Sequence, residues 1–96
     1  FSLDLRPVAK LINLEILSLQ GSSCKNIKPV SNLINLRHLI LNDSQVTNLK
    51  PIKGLDKLHS LYLVNTKVSD LEPLMELKNL QRLYLIFQTL QKQLKI

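Results

Sequence analysis

The 96-residue sequence is short of the residues that staple, break or anchor a chain. A single cysteine, Cys24, cannot form an internal disulfide, which excludes a stapled secreted mini-domain. Two glycines, four prolines and no low-complexity tract argue against disorder. The longest apolar run falls far short of the roughly 18 residues of a membrane span. No basic start leads into an apolar stretch with a small-residue cleavage site, and Phe1 stands where an initiator Met would. Catalytic signatures are missing too. There is no G-x-x-x-x-G-K-[ST], no G-x-S-x-G, no H-E-x-x-H and no paired Cys. The reading is therefore one domain or part of one, with no enzyme activity, no cofactor and no metal expected.

What the chain does have is leucine, 23 residues of it, at fixed intervals. Cut before Leu11, Leu33, Leu55 and Leu77, the sequence aligns without a gap at a period of 22. Leu11, Leu33, Leu55 and Leu77 form one column, and Leu14, Leu36, Leu58 and Leu80 the next. Leu17, Leu39, Leu61 and Leu83 follow, then Leu19, Leu41, Leu63 and Leu85. Ile27, Leu49 and Leu71 stand two places before Pro29, Pro51 and Pro73. Leu5, Pro7 and Val8 fit the same columns one period earlier. The expected organisation is one domain over 1–96. It holds a partial repeat at 1–10, full repeats at 11–32, 33–54 and 55–76, and an incomplete repeat at 77–96.

The pattern has a physical reading. L-x-L alternates with period two, as in Leu39-Ile40-Leu41 or Leu61-Tyr62-Leu63, and predicts a short strand with one buried face. Strands in identical registers, one full coil apart, must stack in parallel. The recurring Pro limits each return arm to a short or 3₁₀-like segment. No unit of this length closes its own core, but stacked neighbours can.

The L-x-x-L-x-L skeleton with its (V/I)-x-x-L-x-P-L tail resembles the leucine-rich repeat. The segment from Leu63 to Leu74, LVNTKVSDLEPL, resembles the short class of bacterial internalins and of the phosphatase-1 regulatory subunit. The resemblance implies an α/β-class, right-handed solenoid. A short parallel sheet would line its concave face, with turns and 3₁₀ pieces on the convex face. One column departs from the family. Where an asparagine ladder is usual, this chain reads Ser22, Ser44, Thr66 and Gln88, hydroxyls that can still bond nearby backbone. The fourth unit also has Gln93 and Lys95 where an apolar residue and Pro are due. Residues 89–94 read either as a terminal helical turn capped by Thr89 or as an interrupted repeat.

Single residues add little chemistry. Cys24 shares a column with Val46 and Val68 and reads as a small buried hydrophobe. His38 and His59 occupy adjacent columns on adjacent strands and read as solvated histidines rather than metal ligands. Asn42-Asp43-Ser44 matches a glycosylation acceptor, with Ser44 in an inward column, and reads as accidental.

Thirteen basic residues against seven acidic ones give a net charge of +6. The resemblance places only Arg37 and Arg82 of these on the concave face. Lys25, Lys28, Lys50, Lys53, Lys57, Lys67 and Lys78 fall on turns and the convex arm, where they keep a leucine-rich solenoid soluble. Nucleic acid is therefore not the expected partner, and an acidic polymer on the convex arm is a weaker third reading. The concave face carries Ile40, Tyr62 and Tyr84 in one column, with Val64, Ile86 and Phe87 beside them. Arg37, His38, His59 and Arg82 border this ridge. Tyr and Arg dominate binding hot spots. An exposed apolar patch usually marks a partner, although Tyr, Ile and Val also suit any strand.

The expected function is binding of a protein partner through those ten residues, in a fragment of a longer repeat protein. The alternative is the recognition or regulatory segment of a larger enzyme. Uncovered apolar residues at the N-terminal end, Leu3, Leu5 and Val8, make end-to-end self-association a further expectation. A lone Cys suits a reducing cytoplasm, and an exported internalin-like protein nearly as well.

Overall fold

The computed structural model of the chain describes residues 3–85. Each L-x-L segment supplies one three-residue strand: β1 (Ile16–Ser18), β2 (His38–Ile40), β3 (Ser60–Tyr62) and β4 (Arg82–Tyr84). They form one parallel sheet in chain order. The register is the sequence period itself, with Leu17 opposite Leu39, Leu39 opposite Leu61, and Leu61 opposite Leu83. The ladder runs past each strand, because Leu19, Leu41 and Leu63 donate to the carbonyls of Ile40, Tyr62 and Tyr84 at 2.8, 2.9 and 2.7 Å.

The return arms are 3₁₀ segments: η1 (Arg6–Lys10), η2 (Lys28–Asn32), η3 (Lys50–Ile52) and η4 (Glu72–Leu74). Pro stands at the start of each, where its missing N–H costs no helical bond. A 3₁₀ turn rises about 2.0 Å per residue against 1.5 Å for an α-helix, so it spans the arm with few residues. A column unnoticed in the leucine pattern starts every arm. Asp4, Asn26, Asn48 and Asp70 accept, through Oδ1, the N–H two residues on, at 2.9–3.0 Å. Four identical Asx turns thus satisfy a donor that the first turn leaves free.

The turn out of each strand needs left-handed backbone. Gly21, Asp43 and Asn65 share a column and have φ of 70°, 59° and 56°. These are the residue types that tolerate this region. The hydroxyl column next to it bonds within its own coil. Cys24 N–H reaches Ser22 Oγ at 3.2 Å, and Thr66 Oγ1 donates to the Leu63 carbonyl at 2.9 Å. Links between coils come from other columns. The Asn35 and Asn79 amides donate to the Ile12 and Asp56 carbonyls of the preceding coil, at 3.0 and 2.8 Å. Asn42 Oδ1 accepts the Val64 N–H at 2.8 Å, and Ser44 two residues on is buried.

The core fills the space between sheet and arms. Leu33, Leu36, Leu39, Leu41, Leu49 and Ile52 of one coil and Leu55, Leu58, Leu61 and Leu63 of the next are sealed from water. Each such side chain stabilises the fold by about 1.5–3 kcal/mol. Cys24 lies in this core, and burial pushes its thiol pKa up, in keeping with an inert packing residue. At the N-terminal end the structure corrects one expectation. Leu5 is 4% exposed and belongs to the core, whereas Leu3 and Leu11 are open to water. Leu5 leads into η1, the arm that packs on η2, and joins the core there. Residues 89–94 lie outside the described residues.

Candidate binding face

The outer face of the sheet is wider than strict alternation allows. The Glu15 carbonyl accepts two successive N–H groups, from Arg37 and His38, at 2.7 and 3.0 Å. The Arg37 carbonyl does the same for His59 and Ser60, and the His59 carbonyl for Gln81 and Arg82. Two consecutive donors on one acceptor is the pattern of a β-bulge, which turns neighbouring side chains to the same side. Two adjacent columns therefore project together. One runs Glu15, Arg37, His59, Gln81, and the other Ile16, His38, Ser60, Arg82.

Along the next outward column, Ile40, Tyr62 and Tyr84 follow strand by strand. The rings of Tyr62 and Tyr84 stack at 4.4 Å between centroids, 11° from parallel. Stacking covers one face of each ring. Tyr62 is half-buried, while Tyr84 stays 41% exposed. Val64 is exposed at the C-terminal side of the same strand position. The apolar ridge is thus a packed stack that presents ring edges and the outer face of Tyr84. Ile86 and Phe87, its two expected continuations, lie outside the described residues.

The polar border is organised rather than solvated. His38 and His59 meet edge to face with ring centroids 5.6 Å apart, and both are half-buried. His59 Nε2 lies 3.2 Å from Gln81 Oε1, an oxygen that can only accept, so this nitrogen carries the proton. Nδ1 lies 2.9 Å from the Ser60 hydroxyl. Ser60 is 1% exposed beneath this contact. With both His59 nitrogens engaged, the pair is a packing and hydrogen-bonding unit. Among the described residues no group of three His, Cys, Asp or Glu side chains could hold a metal ion. Arg37 lies 3.9 Å from Glu15, with both side chains more than half exposed, and Arg82 is exposed on β4. A shallow depression of about 320 Å³ opens between Glu15, Ile16, Arg37, His38 and His59.

Lys57 was expected on the turns and the convex arm. It lies in the turn before β3, at the border of this face, where Nζ donates to Asn35 Oδ1 at 2.8 Å. The signal was in the sequence. Lys57 shares a column with Asn13, Asn35 and Asn79, two residues ahead of the Arg37–His59 column. Among the described residues no helix is long and apolar enough to cross a membrane.

A family model for leucine-rich repeats in two copies matches residues 34–74. Among curated proteins, none matches the chain in sequence. Among solved structures the chain is similar to an internalin C2 from Listeria monocytogenes, at 36% identity over 91% of this chain, with a TM-score of 0.78. It is likewise similar to the internalin inlF of Listeria monocytogenes, at 34% identity over 83% of this chain, with a TM-score of 0.80. The chain spans 41% and 24% of the length of those two proteins. Leucine-rich repeat domains generally serve as protein-interaction modules. A 22-residue register that becomes a parallel ladder, joined to these likenesses, places the chain in the leucine-rich repeat family, with coils of the internalin kind.

Proposed function

We propose that the chain recognises a protein partner through the concave, outer face of its sheet, with Tyr62 and Tyr84 at the centre of the contact. The observation that carries this reading is the tyrosine stack. Two large aromatic side chains are held in one orientation, 4.4 Å apart, on a face flanked by Ile40 and Val64. Rings fixed before binding lose little freedom when a partner arrives, and preorganised aromatics dominate interface energetics. Arg37, His38, His59 and Arg82 form a polar rim, and Ile86 and Phe87 are assigned to the contact on the sequence pattern alone. No catalytic role is assigned to any of these residues.

The test is affinity capture with matched variants of the intact repeat array. Tyr62→Ala combined with Tyr84→Ala should lower partner affinity about 100-fold or more, as expected when two aromatic anchors are truncated. Lys25→Ala with Lys50→Ala on the return arms should leave affinity unchanged. Capture that survives the tyrosine pair undiminished would sink the proposal.

A further inference from the structure

Beside the ridge, the N-terminal edge of the sheet carries a second feature, with a chemistry of its own. The column before the strands holds Arg37, His59 and Gln81, kept on the outer face by the shared carbonyls. Two residues earlier stand Lys57 and Asn79, and the Asn79 amide ties its turn to the preceding coil at the Asp56 carbonyl. The two columns meet diagonally across three coils. Between them lies an open depression of about 410 Å³ lined by Arg37, Lys57, His59, Asn79 and Gln81. Its lining has two permanent cations, an imidazole and two carboxamides, and no carboxylate.

The hydrogen bonds already made leave this depression rich in donors. The Lys57 ammonium spends one of three donors on a neutral oxygen, Asn35 Oδ1. His59 holds Gln81 through Oε1, which leaves the Gln81 amide nitrogen as the outward group. Asn79 uses one amide hydrogen on Asp56. Glu15, the anion paired with Arg37, lies 3.9 Å away and lines the neighbouring depression instead. An exposed pair at that distance contributes little. A planar guanidinium fork beside an ammonium and amide donors matches a carboxylate group.

We propose that this depression seats a carboxylate, an Asp or Glu side chain on an acidic segment of the protein partner. The proposal rests on reading the sheet face as a protein-binding surface, and it adds the chemistry of one partner residue. The ridge would supply the apolar anchor and the depression the charged one, on either side of the His38–His59 contact.

The test uses acetyl-Glu-Glu-Glu-amide as probe, followed by NMR titration of the isotopically labelled chain at low salt. The Arg37 Nε–H and the Asn79 and Gln81 side-chain amides should shift together and saturate. Arg37→Gln with Lys57→Gln should weaken the probe about ten-fold or more, whereas Lys25→Gln with Lys50→Gln, which removes the same charge from the return arms, should change affinity less than about two-fold. Amide-proton dispersion checks that each variant is folded, and Arg37→Lys, which keeps the charge but not the fork, should bind with intermediate strength. Equal losses in the two double variants would overturn the proposal, as would shifts spread along the return arms or no shifts at all. Inorganic phosphate at equal concentration is the competing arm. Displacement of the probe by phosphate, with larger shifts at the same groups, would also overturn it in favour of a phosphate site. The ridge is judged separately. Probe binding should survive Tyr62→Ala with Tyr84→Ala, and tyrosine-dependent capture stands or falls without reference to this depression.

Discussion

Leu39 and Leu17 occupy the same column in strands that pair in register, yet Leu39 is sealed from water and Leu17 is only half-buried. At the other end Leu61 is sealed, while Leu83, its partner across the ladder, is 39% exposed. The first coil shows its interior most openly at Leu11, 53% exposed. The four coils share one sequence pattern and differ in their neighbours. The two middle coils are covered on both sides; the first coil has η1 beside its arm but no strand beside β1, and the fourth is covered on one side, among the described residues. In such a one-dimensional stack, stability belongs largely to the interfaces between coils. A leucine column is a list of opportunities for burial that only an adjacent coil fulfils.

The largest predicted effect breaks this comparison directly. Leu61→Ala should cost about 3–4 kcal/mol in urea unfolding, as for a fully enclosed leucine. Leu83→Ala in the same column should cost about 1 kcal/mol, because part of that side chain never left water. Equal losses at the two sites would mean that the coils unfold independently of their position in the stack.

A smaller effect probes what the coils share. Gly21, Asp43 and Asn65 hold the left-handed turn at both outer and inner positions. A Cβ at Gly21 would meet nothing within 4 Å, so Gly21→Ala isolates backbone strain from clash. Its expected cost is about 1 kcal/mol. Asn65→Val should cost roughly 2 kcal/mol, because it adds β-branching at positive φ and removes the 2.8 Å bond to Asp43 Oδ1. Thermal melts of the two variants would show whether the turn requirement is uniform along the stack.

The smallest effect lies at the open end. The Arg6 guanidinium and backbone N–H bond to Asp4 and hold its carboxyl at about 2, well below the usual range. A depressed folded-state pKa stabilises above the ordinary carboxylate pKa and loses that contribution as pH falls toward 2. Both side chains are exposed, so the expectation concerns titration more than stability. Carboxyl-carbon NMR should place the Asp4 midpoint near 2, and Arg6→Gln should move it back toward 3.8.

Much of this arrangement was legible in the sequence. The 22-residue register, the L-x-L strands and the Pro-led return arms follow from spacing and from the fixed φ of proline. The Asx column of Asp4, Asn26, Asn48 and Asp70 and the turn column of Gly21, Asp43 and Asn65 were equally regular. Both are quieter than leucine, because small polar residues act on the backbone rather than on a core. The binding face was legible in outline and not in detail. Period-two reasoning cannot foresee that one carbonyl takes two N–H groups and so turns Arg37 and His38 outward together. Nor can it foresee that Ser60 is capped by His59, or that Tyr62 and Tyr84 spend a face on each other.

The sequence by itself determined which residues share a column. A period is a one-dimensional property, and each coil meets its neighbour at the same place in that period. Tertiary structure alone decided which leucines are sealed, because burial needs a coil on either side. It also decided which charges meet. Lys57 and His59 lie 20 and 22 residues beyond Arg37 in the chain. Only the stacking of coils, with turns tied carbonyl to amide, brings their columns to the rim of one depression.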